Sequence, residues 1–188
     1  MLDETCTTFD LAEAAPRLAV IGIGACEQHS AHLPLETDLF FAGVIGRAVA
    51  ERLGAMLLAP LPYSNSLEHL GFAGTVTLKP ETLKAVVWDI AESAGGWGIR
   101  HLVMLNAQGG NFMLVPAARQ WNMEGRTPHL LLIDFYSGLS GVGDNLHACE
   151  VEASYSLALF PGFMQMNLAV DTKPEGFLPP RHVDKGGE

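Results

Sequence analysis

Residues 17–38 read RLAVIGIGACEQHSAHLPLETD, an apolar run that leads directly into a loop dense in carboxylates and imidazoles. The run Arg17–Ile23 predicts a buried strand, so the polar cluster follows the carboxyl end of that strand. Glu27 and His29 are two residues apart, and in an extended segment their side chains project to the same side. Carboxylate oxygen and imidazole nitrogen are ligands that divalent zinc, manganese and iron accept. The spacing predicts a metal site that Asp38 completes, unless Asp38 serves only as the N-cap of the next helix.

Strands and helices alternate along the rest of the chain. Apolar runs predict further strands at Met56–Leu61, His101–Leu105 and His129–Phe135. Helical spacing, with Gly and Pro at suitable ends, predicts helices at Asp38–Leu53, Pro80–Gly96, Asn111–Met123 and Glu150–Leu159. This alternation is typical of a layered α/β fold with a mostly parallel sheet. Sites on such sheets form beyond the carboxyl ends of the strands, where the Glu27–Asp38 loop and the Asn106–Asn111 turn both fall.

The composition is that of a compact folded protein. The chain has 188 residues, 48% of them hydrophobic and 17% charged, which is enough for a sizeable core. We expect residues 1–170 to form a single domain. Residues 171–188, rich in Pro, Gly and charge, are expected to form a C-terminal tail.

Charge and cysteine content narrow the classes of partner. A net charge of −10 argues against nonspecific binding to nucleic acid or to anionic membranes, because both need basic patches. No apolar run approaches the roughly 18 residues of a transmembrane helix, and the acidic Met1–Glu4 start lacks the basic residues of a signal peptide. The three scattered cysteines do not form a disulfide framework, so we expect a reducing cytoplasm.

Five ordered motifs carry candidate chemistry. They are the Glu27–Asp38 loop, Ser66-Leu67-Glu68-His69, Gly71–Leu78, Asn106–Asn111 (Asn-Ala-Gln-Gly-Gly-Asn) and His147–Ser154 (His-Ala-Cys-Glu-Val-Glu-Ala-Ser). Over about Gly22 to Ser154, their order and spacing resemble the creatininase family of metal-dependent amidohydrolases. In that family the motifs read roughly Glu-Gln-His-Gly-x-His-Leu-Pro-Leu-x-Thr-Asp, then Glu-His and Phe-Pro-Gly-Thr, Asn-Gly-His-Gly-Gly-Asn, and His-Ala-Gly-Glu-x-Glu-Thr-Ser.

The resemblance implies a three-layer α/β/α fold, with a mostly parallel central sheet, in a homo-oligomer. It implies one or two divalent ions per chain, zinc or manganese, with iron as a further choice. Glu27 and His29 would bind different ions, Asp38 would bridge them, and Glu150 would be a further ligand. His147 would donate a proton or stabilise an oxyanion, and we expect Glu152 to share the catalytic role.

One departure from the family pattern concerns the metal directly. Gln108 stands where the family has the histidine of Asn-Gly-His. An amide oxygen is a poorer zinc ligand than an imidazole, so Gln108 is expected to be a weak ligand at most.

Six further residues are expected to face the substrate: His32, Glu68, His69, Asn106, Asn111 and Cys149. Four of them allow a plainer interpretation. His32 could hydrogen-bond only within its own loop, and Glu68 with His69 could organise a subunit contact. Cys149, which replaces a family glycine, could bind metal or act as a nucleophile, or could simply fill space.

The expected activity is hydrolysis of a C–N bond in a small amide or cyclic amide, with metal-activated water attacking the carbonyl. Gln108 and Cys149 motivate a first alternative, a specialised biosynthetic enzyme that runs amide formation, ring closure or another carbonyl reaction. Gln108 and the short C-terminal part motivate a second, a non-catalytic ligand-binding or scaffold homologue. Specificity would lie in the Pro62–Thr77 loop and in residues 136–146.

Overall fold

The structure is a computed structural model that describes residues 1–135 and 147–170. The predicted tail at residues 171–188 and the predicted specificity segment at residues 136–146 lie outside the described residues. Within the described ranges, no helix is long and apolar enough to cross a membrane.

Five α-helices and four strands make up the described chain. The strands are β1 (Leu18–Ile23), β2 (Met56–Leu61), β3 (His101–Asn106) and β4 (His129–Asp134). The helices are α1 (Thr8–Ala14), α2 (Thr37–Leu53), α3 (Pro80–Gly96), α4 (Leu114–Met123) and α5 (Glu150–Leu159). Short 3₁₀ turns lie at Leu67–His69, Pro161–Phe163 and Met166–Leu168. The predicted α/β pattern is confirmed.

The described strands form one parallel sheet in the order β2-β1-β3-β4. The central pair, β1 and β3, runs in register from Leu18 opposite His101 to Ile23 opposite Asn106. Both strands therefore end at the same level, and the loops that follow them start side by side.

Alternate residues of β1 pack on opposite faces of the sheet, as the period of two requires. Ala19 and Ile21 pack in a core cluster with α3 and α4, whereas Val20 packs with Ala50 of α2. The chain thus leaves β1 for a helix on one face and leaves β3 for a helix on the other. Such a switch in direction opens a crevice at the carboxyl ends of two neighbouring strands, where α/β proteins place their ligands.

Two local features differ from the predicted elements. Helix α1 was not predicted, although its capping box, in which Thr7 and Asp10 bond reciprocally, is readable in the sequence. Helix α4 begins at Leu114 rather than Asn111. The residues before it form a turn in which the Asn111 amide N–H donates to the Gln108 carbonyl at 3.3 Å.

Candidate metal centre

The loop between β1 and α2 brings three predicted ligands together in the interior. Glu27, His29 and Asp38 are each exposed by 2% or less, and ligand atoms from all three lie within 4.8 Å of one another. His29 Nε2 is 3.5 Å from Asp38 Oδ1. Asp38 lies in the first turn of α2. This turn lies so close to the residue after β1 that a Cβ on Gly24 would be under 3.0 Å from the backbone of Asp38 and Leu39.

Helix α5 supplies a third carboxylate, that of Glu152. The Glu152 side chain is 2% exposed, and its Oε1 lies 4.0 Å from His29 Nε2. Its Oε2 accepts from the Cys149 backbone N–H at 3.3 Å, which fixes the carboxylate at the start of the helix. We call Glu27, His29, Asp38 and Glu152 the cation group.

Glu150, which the resemblance made a ligand, is exposed and belongs to none of the candidate ligand groups among the described residues. Glu150 and Glu152 are about 200° apart around a helix of 3.6 residues per turn, so only one of them can face the site. The structure turns Glu152 inward, and the expectation for Glu150 is corrected accordingly.

Two further imidazoles, His69 and His147, border the cation group, and we call them the imidazole pair. Their rings stack with centroids 4.0 Å apart. His69 Nε2 lies 3.5 Å from Glu27 Oε1, and His147 Nδ1 lies 3.4 Å from the same oxygen. The Gln28 amide nitrogen donates to the opposite side of each ring, to His69 Nδ1 at 2.9 Å and to His147 Nε2 at 2.9 Å.

Gln108 contacts the cation group through its nitrogen. Its Nε2 donates to Glu27 Oε2 and to the Asn65 carbonyl oxygen, the latter at 3.0 Å, and lies 3.1 Å from Ser66 Oγ. Gln108 is only 4% exposed. Gln108 therefore directs an N–H group, and not a metal-binding lone pair, at the site. Its hydrogen bond holds the Glu27 carboxylate in place.

Burial and mutual charge shift the pKa values of this centre in opposite directions. Burial, and then the charge of Asp38, raises the pKa of Glu27 to about 9. Burial is the largest influence on His29 and lowers its pKa, but the charge and hydrogen bond of Asp38, together with the charges of Glu152 and Glu27, outweigh burial and raise that pKa to about 10. Burial, and then the positive charge of His29, lowers the pKa of His69 to about 4 and that of His147 to about 2. Glu27 and His29 thus retain protons at neutral pH, whereas the imidazole pair is neutral.

The cation group fits a divalent ion. Among the described residues, His29 Nε2 and Asp38 Oδ2 are buried without a hydrogen-bond partner, which is costly unless another group satisfies them. Tetrahedral zinc with N and O ligands at about 2.0–2.2 Å separates its ligand atoms by roughly 3.4 Å, close to the 3.5 Å between His29 Nε2 and Asp38 Oδ1. His29 Nδ1 donates to the Glu27 carbonyl oxygen at 3.2 Å, so Nε2 is the nitrogen that would bind an ion in place of its proton.

The family model for creatininase, described as creatinine amidohydrolase, matches residues 4–186. The chain belongs to the creatininase family. The resemblance drawn from the five motifs is therefore confirmed.

Curated relatives of the creatininase family differ in what they act on. The 3-dehydro-scyllo-inosose hydrolase of Thermotoga maritima is 32% identical over 90% of this chain and 59% of its own. The mycofactocin precursor peptide peptidase of Mycobacterium ulcerans is 36% identical over 84% of this chain and 64% of its own. The creatinine amidohydrolase of Pseudomonas putida is 28% identical over 85% of this chain and 71% of its own. The chain thus spans about three fifths of the length of the first two relatives.

Solved creatininases have the same fold. A manganese form aligns with a TM-score of 0.80 at 24% identity, over 95% of this chain and 80% of that one. A zinc–zinc form of a creatininase variant aligns with a TM-score of 0.76 at 24% identity, over 94% and 80%. At this identity the likeness establishes the architecture, and the three-layer prediction agrees with it.

Two of the residues expected to face the substrate are tied into the protein instead. Asn106 Nδ2 donates to the Gln108 carbonyl at 2.9 Å, and its Oδ1 accepts from Asn111 Nδ2 at 2.9 Å. Asn111 Oδ1 accepts in turn from the Asn65 backbone N–H at 2.9 Å. These amides hold the turn after β3 against the loop after β2, and so they fix the position of Gln108.

The other expected substrate contacts lie around the centre. His32 is buried, and its carbonyl accepts from the Gln165 N–H at 3.0 Å. Glu68 is half-buried and borders Gly110, where a Cβ would lie under 3.0 Å from its carboxylate. Burial, and more weakly the charge of Asp38, raises the pKa of Glu68. Cys149 caps α5.

Three residues of the centre, Gln28, Asn65 and Ser66, were not predicted to have a role. Gln28 lies inside the first motif, between two candidate ligands, and that position was the available signal. The contacts of Asn65 and Ser66 with Gln108 join residues more than 40 positions apart, so no local pattern could have revealed them.

Proposed function

We propose that this protein is a metal-dependent hydrolase that cleaves a C–N bond in a small amide or cyclic amide. The observation that carries the proposal is the pair of buried, unpartnered ligand atoms, His29 Nε2 and Asp38 Oδ2, beside the buried Glu152 among the described residues. The names of the curated relatives, a hydrolase, a peptidase and an amidohydrolase, support hydrolysis rather than synthesis or a purely structural role.

The cation group would hold one ion per chain, zinc or manganese, with iron as a further choice. Glu27, His29 and Asp38 have ligand spacing with one another, and Glu152 has it with His29 and His147. Because His29 is shared, His29, Asp38 and Glu152 would be the ligands, together with one lone pair of Glu27. Such an ion supplies a Lewis acid that polarises an amide carbonyl and activates water at neutral pH. A second ion is disfavoured next to Gln108, because the N–H that points at Glu27 repels a cation.

The surrounding side chains would handle the substrate. His147, neutral and in contact with the cation group, would stabilise the negative charge that develops on the carbonyl oxygen. Glu68, half-buried and with a raised pKa, would carry the proton to the leaving nitrogen. His69 would complete the wall beside His147.

We further propose a cytoplasmic homo-oligomer. Leu70, Phe72 and Phe112, in the loops that follow β2 and β3, are 66%, 58% and 56% exposed. Apolar side chains this exposed support burial against a second copy of the chain.

Metal analysis combined with an amide panel tests the function. The purified protein should contain about one zinc or manganese per chain, hydrolyse at least one cyclic amide or short peptide amide, and lose that activity on chelation. Asp38→Asn, which keeps the shape and removes the charge, should lose metal and activity together. A protein that takes up no ion when zinc and manganese are supplied would refute the proposal.

A further inference from the structure

The side chain of Gln28 has its orientation fixed by two kinds of contact. Its Oε1 accepts from the Ser30 backbone N–H at 3.0 Å. The reversed amide would set two donors against each other, so the nitrogen must be the end that faces His69 and His147. Each of these two rings therefore receives a hydrogen bond from Gln28.

That hydrogen bond determines where each imidazole carries its proton. A neutral imidazole has one N–H and one lone-pair nitrogen, and a nitrogen that accepts from an amide cannot carry the hydrogen. The protons must then lie on His69 Nε2 and His147 Nδ1. These are the two nitrogens that face Glu27 Oε1, at 3.5 and 3.4 Å.

This arrangement is the reverse of the one at His29. A metal-binding histidine directs its lone pair at the ion and donates its other N–H to an acceptor, as His29 does to the Glu27 carbonyl oxygen. Glu27, His69 and His147 have ligand spacing, but two of the three direct hydrogens inward. Their polarity suits an anionic oxygen, not a cation.

We propose that Gln28 is a positioning residue that fixes the tautomers of His69 and His147, so that both rings direct N–H groups at an oxygen anion of the substrate. The anion-binding role rests on the proposed amide hydrolysis, whereas the tautomers do not. Both inner N–H groups point at the border of the cation group, where they face Glu27 Oε1. A developing oxyanion is stabilised most by donors already in place.

Nitrogen NMR of the histidine rings measures this directly. In protein labelled with ¹⁵N-histidine, two-bond couplings to the ring carbon protons identify the protonated nitrogen. We expect His69 in the Nε2–H form and His147 in the Nδ1–H form. The His147 result is decisive, because free imidazole side chains prefer Nε2–H in water, and finding that common form at His147 would overturn the proposal.

Two substitutions test the role of Gln28. Gln28→Glu keeps the acceptor for the Ser30 N–H but replaces the donor with an acceptor, so the protons should move to His69 Nδ1 and His147 Nε2. Gln28→Met removes the amide without adding charge, and His147 should return to Nε2–H. Both variants should lower kcat by about 100-fold with little change in KM, the effect of losing oxyanion donors. Reversed tautomers with unchanged kcat would refute the positioning role, and an unchanged His29 spectrum serves as the folding control.

Zinc addition separates the donor role from metal ligation. Zinc should shift the His29 ring nitrogens and leave the inner N–H signals of His69 and His147 in place. Loss of those two signals would mean that the imidazole pair binds the ion, which contradicts the inference. A protein with the expected tautomers that binds no zinc and cleaves no amide would instead refute the proposed function and leave the tautomer assignment standing.

Discussion

His29 and His147 lie side by side, with ring centroids 4.6 Å apart, and yet the structure prepares them for opposite tasks. The outer nitrogen of His29 meets a carbonyl oxygen, whereas that of His147 meets an amide N–H. The residue type is the same, and the side chains are 0% and 15% exposed, so residue type does not explain the difference. The chemical role of an imidazole is decided by the group on its far side, which here is a backbone carbonyl for one ring and Gln28 for the other.

Glu27 lies on the boundary between the cation group and the imidazole pair. One of its oxygens accepts from Gln108, and the other faces the imidazole pair. It also belongs to the ligand-spaced group with His29 and Asp38. A single carboxylate can serve both sides because its two oxygens offer about four lone pairs.

Glu152→Gln should produce the largest change in metal binding, and that change should be confined to the cation group. The amide retains an oxygen for the Cys149 N–H but removes the charge opposite His29, so metal affinity should fall by more than the roughly 10–100-fold typical of outer-shell partners. Isothermal titration with zinc measures this loss.

Glu150→Gln is the matched control, since it removes the same charge two residues away on the exposed side of α5. It should leave the zinc affinity within about twofold, the range expected of surface substitutions. Equal losses in both variants would mean that α5 acts through its overall charge and that neither carboxylate is a ligand.

Glu150 and Glu152 also mark the limit of what the sequence predicts. The bounds of β2 and α5 follow from apolar runs and from Gly and Pro at the ends, so they were predicted correctly. Which of two acidic residues in one helical turn faces inward depends on how the helix packs, and that depends on distant contacts. The orientation of the Gln108 amide also depends on residues far away in the sequence, because Asn65 and Glu27 fix it from other loops.

Gly24→Ala should weaken the cation group through the backbone. The new Cβ would press on the backbone of Asp38 and Leu39, which cannot yield as a side chain can. We expect a loss of about 1–3 kcal/mol in the free energy of unfolding, measured by urea denaturation, together with weaker zinc binding. The tautomers of His69 and His147 should not change.

Gly43→Ala provides the comparison within α2, because a Cβ there meets nothing within 4 Å. It should stabilise the helix by up to roughly 1 kcal/mol. A Gly24→Ala protein as stable as Gly43→Ala would show that α2 does not need this close approach.

Gln108→His tests whether the side of Glu27 facing Gln108 can be converted to bind metal. Replacing the N–H donor with an imidazole lone pair should raise the metal content from about one to about two ions per chain, measured by elemental analysis. Gln108→Ala removes the donor without adding a ligand and should leave the content near one. An unchanged content in Gln108→His would mean that this position cannot complete a site.

The smallest effect expected concerns the pH dependence of folding stability, which should differ between the cation group and the imidazole pair. In metal-free protein, His29 and Glu27 have pKa values raised from 6.5 and 4.5 to about 10 and about 9. The folded state therefore holds more protons than the unfolded state above pH 6.5, and stability falls as the pH rises toward 9. The imidazole pair acts in the opposite direction. The pKa values of His69 and His147 are lowered to about 4 and about 2, so stability falls as the pH drops below 6.5.

Metal-free protein should therefore be most stable near pH 6.5, where the two opposing contributions meet. Zinc replaces the protons on the cation group alone, so it should remove the loss at high pH and leave the loss at low pH. Thermal melts with zinc or chelator at pH 5, 6.5 and 9 measure this, at about 2–4 °C per kcal/mol for a chain of this size. If zinc raised the melting temperature equally at all three values, it would not be displacing the protons of His29 and Glu27. The contrast between the two sides would then lose its electrostatic basis, because ion and proton would no longer compete for the same atoms.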